Sequence, residues 1–116
     1  MKGLLDGVND AGIVALATYF SAQTRAAATG PDNTTTYQRG QAISNGMLCG
    51  SCHLPDYAGR QQIPRLAGQH GAFLLNAMKQ FRDNPGPGRD TIMSASVHGL
   101  KDDELSDLAH FLGNFK

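Results

Sequence analysis

Three stretches of the chain carry apolar residues at helical spacing, separated by polar or helix-breaking segments. In the first, Ile13, Leu16, Ala17 and Phe20 recur at i, i+3, i+4 and i+7, which predicts a helix over 10–23 with one apolar face and Asn9 as its cap. In the second, Phe73, Leu74, Ala77, Met78 and Phe81 share one side of a helix over 70–83. In the third, Leu105, Leu108, Ala109 and Leu112 form the apolar stripe of a helix over about 102–111. A shorter helix is expected over 37–45, ending at Gly46. No segment alternates in the manner of a strand, so the pattern predicts an all-α fold.

The intervening segments read as connections of different kinds. Residues 26–36 are small and polar and contain Gly30 and Pro31, the composition of a linker. Residues 54–69 hold Pro55, Gly59, Pro64 and Gly68, too many breakers for regular structure, and are expected to form an ordered loop laid over a large ligand. The run Asn84-Pro85-Gly86-Pro87-Gly88 stops the second long helix, and a further loop over 89–100 contains Met93.

An internal repeat divides the chain. Gly7-Val8-Asn9-Asp10, followed by Ile13, Leu16-Ala17 and Tyr19, matches Gly99-Leu100-Lys101-Asp102, followed by Leu105, Leu108-Ala109 and Phe111, at one constant offset that also carries Met1 onto Met93. The shared helix entry, Leu-Ala pair and aromatic identify residues 1–25 as a helical segment resembling the tail of a preceding, similar domain. The division is then 1–25 for that tail, 26–36 for the linker and 37–116 for one domain.

Composition narrows the function. At 116 residues, 41% hydrophobic and 7% aromatic with no Trp, the chain suits one small domain whose apolar supply is thin, and a buried cofactor would complete its core. Ten Lys and Arg balance ten Asp and Glu. That balance gives no support for nucleic-acid binding, which favours a basic patch, and argues against strong long-range steering of a charged partner, while leaving local patches open. No apolar run approaches the roughly 20 residues needed to cross a bilayer. Met1-Lys2-Gly3-Leu4-Leu5 has neither the apolar core nor the cleavage site of a signal peptide.

The chemistry centres on Cys49-Gly50-Ser51-Cys52-His53. Two thiols three positions apart and an adjoining imidazole form the attachment pattern of a c-type haem: each sulfur adds to one vinyl group, and the imidazole supplies an axial nitrogen to the iron. The Gly-Ser spacer is expected to bend the backbone so that both sulfurs face one macrocycle. A structural zinc site needs about four ligands, usually two separated pairs, and only one pair exists here. A thioredoxin-like pair requires a βαβ context that the pattern does not offer. A plain disulfide between the two cysteines is the remaining alternative. Covalent haem implies export to an oxidising compartment, the periplasm, with a signal peptide that is not present in this chain.

From Tyr37 onward the sequence resembles the class I c-type cytochromes, particularly domains of the diheme cytochrome c4 group and their single-haem relatives. The resemblance is carried by Cys49-Gly50-Ser51-Cys52-His53, Ile63-Pro64-Arg65-Leu66-Ala67-Gly68-Gln69, Lys79-Gln80-Phe81-Arg82, Met93, and Leu100 to Leu112. It implies a small class I cytochrome c fold, with helices and long loops wrapped around one haem c bound through Cys49 and Cys52. It implies iron ligation by His53 and a methionine, for which Met93 stands at the family's position. Met47 adjoins the pentapeptide, Met78 lies on an apolar helix stripe, and Met1 precedes the linker. His98 is the rival ligand; His70 and His110 fall at helix positions. Pro64 matches the family proline whose carbonyl accepts the proton of the ligand imidazole, and Arg65 is a candidate partner for a haem propionate. Two positions depart from the pattern: Lys101 stands where Ser or Asp would cap better, and Leu54 follows His53 where many relatives have glycine.

The resemblance implies an electron-transfer module, not an enzyme, that docks transiently with redox donors and acceptors. The alternatives are a haem enzyme or a gas- or peroxide-responsive sensor with a labile sixth ligand, and a wiring domain fused to a redox enzyme.

Overall fold

The computed structural model describes residues 3–23 and 33–116. The order is α1 (Asp10–Ser21), α2 (Thr34–Gly46), α3 (Cys49–His53), α4 (Gly71–Asp83), α5 (Thr91–Val97) and α6 (Asp102–Asn114). Among the described residues there is no strand, only an isolated bridge between Arg60 and Ile63. The fold is all-α, as the periodicity predicts.

α6 is the central element, because its stripe is wide. Leu105, Leu108, Ala109, Phe111 and Leu112 are all buried, and four of them are among the most deeply covered side chains. α2 crosses it where Gly40 leaves no side chain: a Cβ there would come within 2.6 Å of the Phe111 Cβ. Arg39 and Asp107 pair across the same crossing at 2.6 Å. α4 packs on α6 through Leu74 and Met78, and α5 packs on α4. Tyr37, Tyr57, Phe111 and Phe115 close one end of the core in edge-to-face contacts, with centroids 4.7–5.6 Å apart, the arrangement their ring quadrupoles favour.

Several boundaries differ from the periodic reading. α2 starts at Thr34, inside the segment assigned to the linker, because the Asn33 side chain accepts from the Thr36 amide and caps the helix there. The rest of the expected linker, including Gly30 and Pro31, lies outside the described residues, as does Met1. α6 begins after Lys101, which lacks a capping side chain of its own; the Glu104 carboxylate accepts the Lys101 amide at 2.8 Å instead. Asp102, Asp103 and Glu104 further satisfy the positive end of the helix. The segment expected as a loop over 89–100 contains α5, capped by Asp90.

α1 forms as predicted, with Asn9 accepting from Gly12 at 2.9 Å, but it buries none of its residues. Val14 is 64% exposed and Phe20 67%, and Ile13, Leu16 and Tyr19 are also open.

Candidate haem-attachment site

Cys49, Cys52 and His53 lie on α3, a single helical turn. The i, i+3, i+4 spacing sets all three side chains on one face. The sulfurs therefore converge by helical winding, whereas the sequence suggested a bent Gly-Ser spacer. Left-handed or extended backbone with positive φ bounds the turn on both sides: Leu48 at φ 55° and Leu54 at φ 71°, ψ 156°. Neither cysteine is in a disulfide here, Cys49 being partly buried and Cys52 exposed. Burial pushes the Cys49 thiol up from its ordinary value, partly offset by a hydrogen bond with Ser44. Thioether formation removes that buried ionisable group altogether.

His53 is buried, with 7% of its surface exposed. Its Nδ1 donates to the Pro64 carbonyl at 2.8 Å. A carbonyl only accepts, so the tautomer is fixed, and the lone pair on Nε2 is the atom left to bind a metal. The Pro64 carbonyl reaches His53 because the loop over 54–69 folds back tightly. Gly59 donates to the His53 carbonyl at 3.0 Å, Arg60 and Ile63 exchange backbone hydrogen bonds, and Leu66 and Ala67 both donate to the Tyr57 carbonyl. Gly59, at φ 74°, is required there: a Cβ would lie 2.6 Å from the Arg65 nitrogen and from the Pro64 carbonyl carbon. Tyr57 anchors the loop in the core, its hydroxyl 2.8 Å from that of Ser44.

The other candidates lie apart from this turn. Arg65 directs its Nε to the Ala67 carbonyl at 3.1 Å, a bond within its own loop. Met93 sits on α5, partly buried and packed against the core, with its amide donating to the Asp90 carboxylate at 2.8 Å. His98 ends α5 and is exposed; His70 precedes α4 and is exposed, and His110 lies on α6.

The donor set fits haem c. Two thiols and an imidazole share one face, and the imidazole is oriented by a carbonyl in the way that metal-ligating histidines usually are. Among the described residues no three His, Cys, Asp or Glu side chains gather as a metal-binding cluster, and a structural zinc needs about four such ligands. Ser44, Tyr57 and Gly59 had no signal in the sequence beyond the breaker-rich loop, because their roles depend on partners that the fold supplies.

The profile of the cytochrome c family matches residues 37–116. Cytochrome c4 of Azotobacter vinelandii is 26% identical over 121 aligned positions, covering 97% of this chain and 58% of that protein. Cytochrome c4 of Stutzerimonas stutzeri is 28% identical, with the same coverage. Cytochrome c-554(548) of Halomonas halodenitrificans is 32% identical over 65 positions, 54% of this chain. The crystal structure of reduced recombinant cytochrome c4 from Pseudomonas stutzeri superposes with a TM-score of 0.80 at 26% identity, covering 98% of this chain and 65% of that one. The chain thus spans somewhat over half the length of its cytochrome c4 relatives. It is homologous to cytochrome c4, has the class I cytochrome fold, and belongs to the cytochrome c family.

Proposed function

We propose that this chain is an electron-transfer domain carrying one haem c, attached through Cys49 and Cys52 and ligated by His53 and Met93, and that it passes single electrons between redox proteins in the periplasm. The observation that carries the reading is the hydrogen bond from His53 Nδ1 to the Pro64 carbonyl, made on the same helical turn that presents the two thiols. Bound haem supplies a one-electron iron couple. The protein's part is to hold the ligands still, so that oxidation and reduction need little rearrangement.

Each side chain has a definite task in this reading. The Pro64 carbonyl keeps the imidazole proton on Nδ1, fixes the ring plane and raises the basicity of Nε2. Met93 would be the second residue to hold the iron, and its thioether would favour the reduced state and leave no ligand site for oxygen or peroxide, the feature that separates a carrier from an enzyme or sensor. Arg65 is placed on the loop next to Pro64, where its terminal nitrogens are available to a propionate. Contact with partners is brief and small in area, as redox encounters are, and takes place beside the thioether edge, where Met47 and Leu48 are open to solvent. Residues 1–25, with α1 within them, correspond in this reading to the tail of a preceding domain of the same kind. The repeat supports this, and so does the fact that α1 exposes positions whose counterparts in α6 form the core.

The test is an absorption spectrum of the matured protein, ferric and then ferrous. A long-wavelength sulfur-to-iron band in the ferric state, lost on reduction and absent in Met93→Ala, is the expected result. A haem spectrum without that band transfers the sixth position to His98 or leaves it open, and no haem spectrum after maturation removes the assignment.

A further inference from the structure

The run Lys79-Gln80-Phe81-Arg82 takes no part in haem attachment, yet its side chains hold both ends of the segment that bears Met93. That segment leaves α4 after Asp83 and enters α6 after Lys101. At its far end, Arg82 Nη1 donates to the Leu100 carbonyl at 2.9 Å, and Arg82 Nη2 pairs with Asp102 at 2.7 Å. Lys79 joins the same carboxylate at 2.7 Å. Nearer its start, the Arg89 guanidinium lies over the Phe81 ring at 5.7 Å and donates to Gln80 Oε1 at 3.3 Å. Between these two anchors, Asp90 caps α5 by accepting from the Met93 amide.

The two ends are not equal. Arg89 makes a long hydrogen bond and a cation–π contact, both sensitive to small displacements. Arg82 has only 17% of its side chain exposed and uses three nitrogens at once, with Asp83 orienting the fork from the same helix at 2.6 Å. Its bond to Leu100 is made to the main chain, so it restrains the backbone of the segment whatever the side chain there. Lysine has one nitrogen and no planar fork, and it cannot make these bonds together. Arg82 also keeps the Asp83 and Asp102 carboxyls below the usual carboxylate range, in the case of Asp102 with the larger part coming from Lys79.

A methionine ligand leaves iron only when the segment carrying it moves. The free energy of that local opening adds to the cost of binding any competing ligand. We propose that Arg82 is a positioning residue for the sixth ligand, a clamp from α4 onto the end of the Met93 segment that sets how readily the sixth position opens. The proposal rests on the reading of Met93 as the ligand.

The experiment titrates exogenous imidazole into ferric haem-loaded protein and follows loss of the sulfur-to-iron band, with denaturant unfolding measured on the same samples. Wild type is compared with Arg82→Lys, Arg82→Ala, Arg39→Lys and Met93→Ala. Arg82→Lys is expected to bind imidazole roughly tenfold more tightly, the order expected for losing a hydrogen bond from a charged group, and Arg82→Ala at least as tightly as that. Arg39→Lys, which alters the ion pair between α2 and α6 and leaves the Met93 segment untouched, is expected to titrate as wild type. Wild-type imidazole affinity in Arg82→Lys, with the band abolished in Met93→Ala, overturns the clamp and leaves the ligand reading standing. Retention of the band in Met93→Ala overturns both. Equal tightening in Arg39→Lys and Arg82→Lys overturns the clamp in favour of a general loosening of the fold. If Arg82→Ala does not mature, the Arg82→Lys arm alone decides.

Discussion

Leu54 shows how one residue records both what the fold demands and what this sequence tolerates. It follows His53 directly and sits at φ 71°, ψ 156°, a region that glycine enters freely and a branched side chain enters only under strain of about 1–3 kcal/mol. The sequence flagged the position because relatives carry glycine there; the backbone explains why. The chain must reverse at once after the imidazole so that Gly59 can bond the His53 carbonyl and Pro64 can reach Nδ1. Leu54→Gly is therefore expected to be far milder than Leu66→Gly, an equally half-buried leucine without positive φ, with a difference of roughly 2 kcal/mol in unfolding free energy. Denaturant unfolding of the two variants checks this, and equal losses would mean that position 54 stores no strain. Cys49, Cys52 and His53 were legible at this scale as candidates because their spacing is itself a motif, and Pro64 only through the family resemblance. Tyr57, Gly59 and Arg82 were not, since each acts on atoms distant in sequence or on main-chain carbonyls that no motif encodes.

At the scale of elements, legibility followed length. α4 and α6 announce themselves by long apolar stripes and were placed to within a few residues. α5 did not, because seven residues are too few for periodicity to show and the run of Pro and Gly before it reads as loop. α1 was equally legible as a helix, but its pattern misleads about packing: a stripe that should be core is open to solvent. On the proposed division, Ile13, Leu16, Ala17 and Tyr19 occupy the positions of Leu105, Leu108, Ala109 and Phe111 and would meet another domain's helices. If so, α1 contributes nothing to the domain over 37–116. A chain of residues 33–116 is expected to keep the haem spectrum of the longer chain and to unfold within about 0.5 kcal/mol of it, the range for changes away from a core. A loss of more than about 2 kcal/mol, or failure to retain haem, would assign α1 to this domain and dissolve the proposed division.

At the scale of the whole molecule, charge does little for the fold except at one place. With ten cationic and ten acidic side chains the net field is weak, and the ion pairs are surface pairs of small individual worth. The group formed by Lys79, Arg82, Asp83 and Asp102 stands out because it ties the end of α4 to the start of α6 and to the Leu100 carbonyl. Arg82 holds the Asp83 carboxyl below its ordinary value, and Lys79 first, then Arg82, do the same for Asp102. A carboxyl whose folded value lies below its unfolded one stabilises the fold fully above the unfolded value, near pH 3.9. It loses that contribution as pH falls through the folded value, when both states hold the proton. The advantage of wild type over Asp102→Asn should thus be constant through neutral pH and shrink progressively below about pH 4. Denaturant midpoints of both proteins over a pH series measure it, and the comparison cancels the titration of groups that do not interact with Asp102. A difference that persists unchanged in acid would mean that Asp102 acts through packing or helix capping. In that case the electrostatic junction between α4 and α6 would have no part in holding the Met93 segment, and its restraint would fall to the Arg82–Leu100 bond alone.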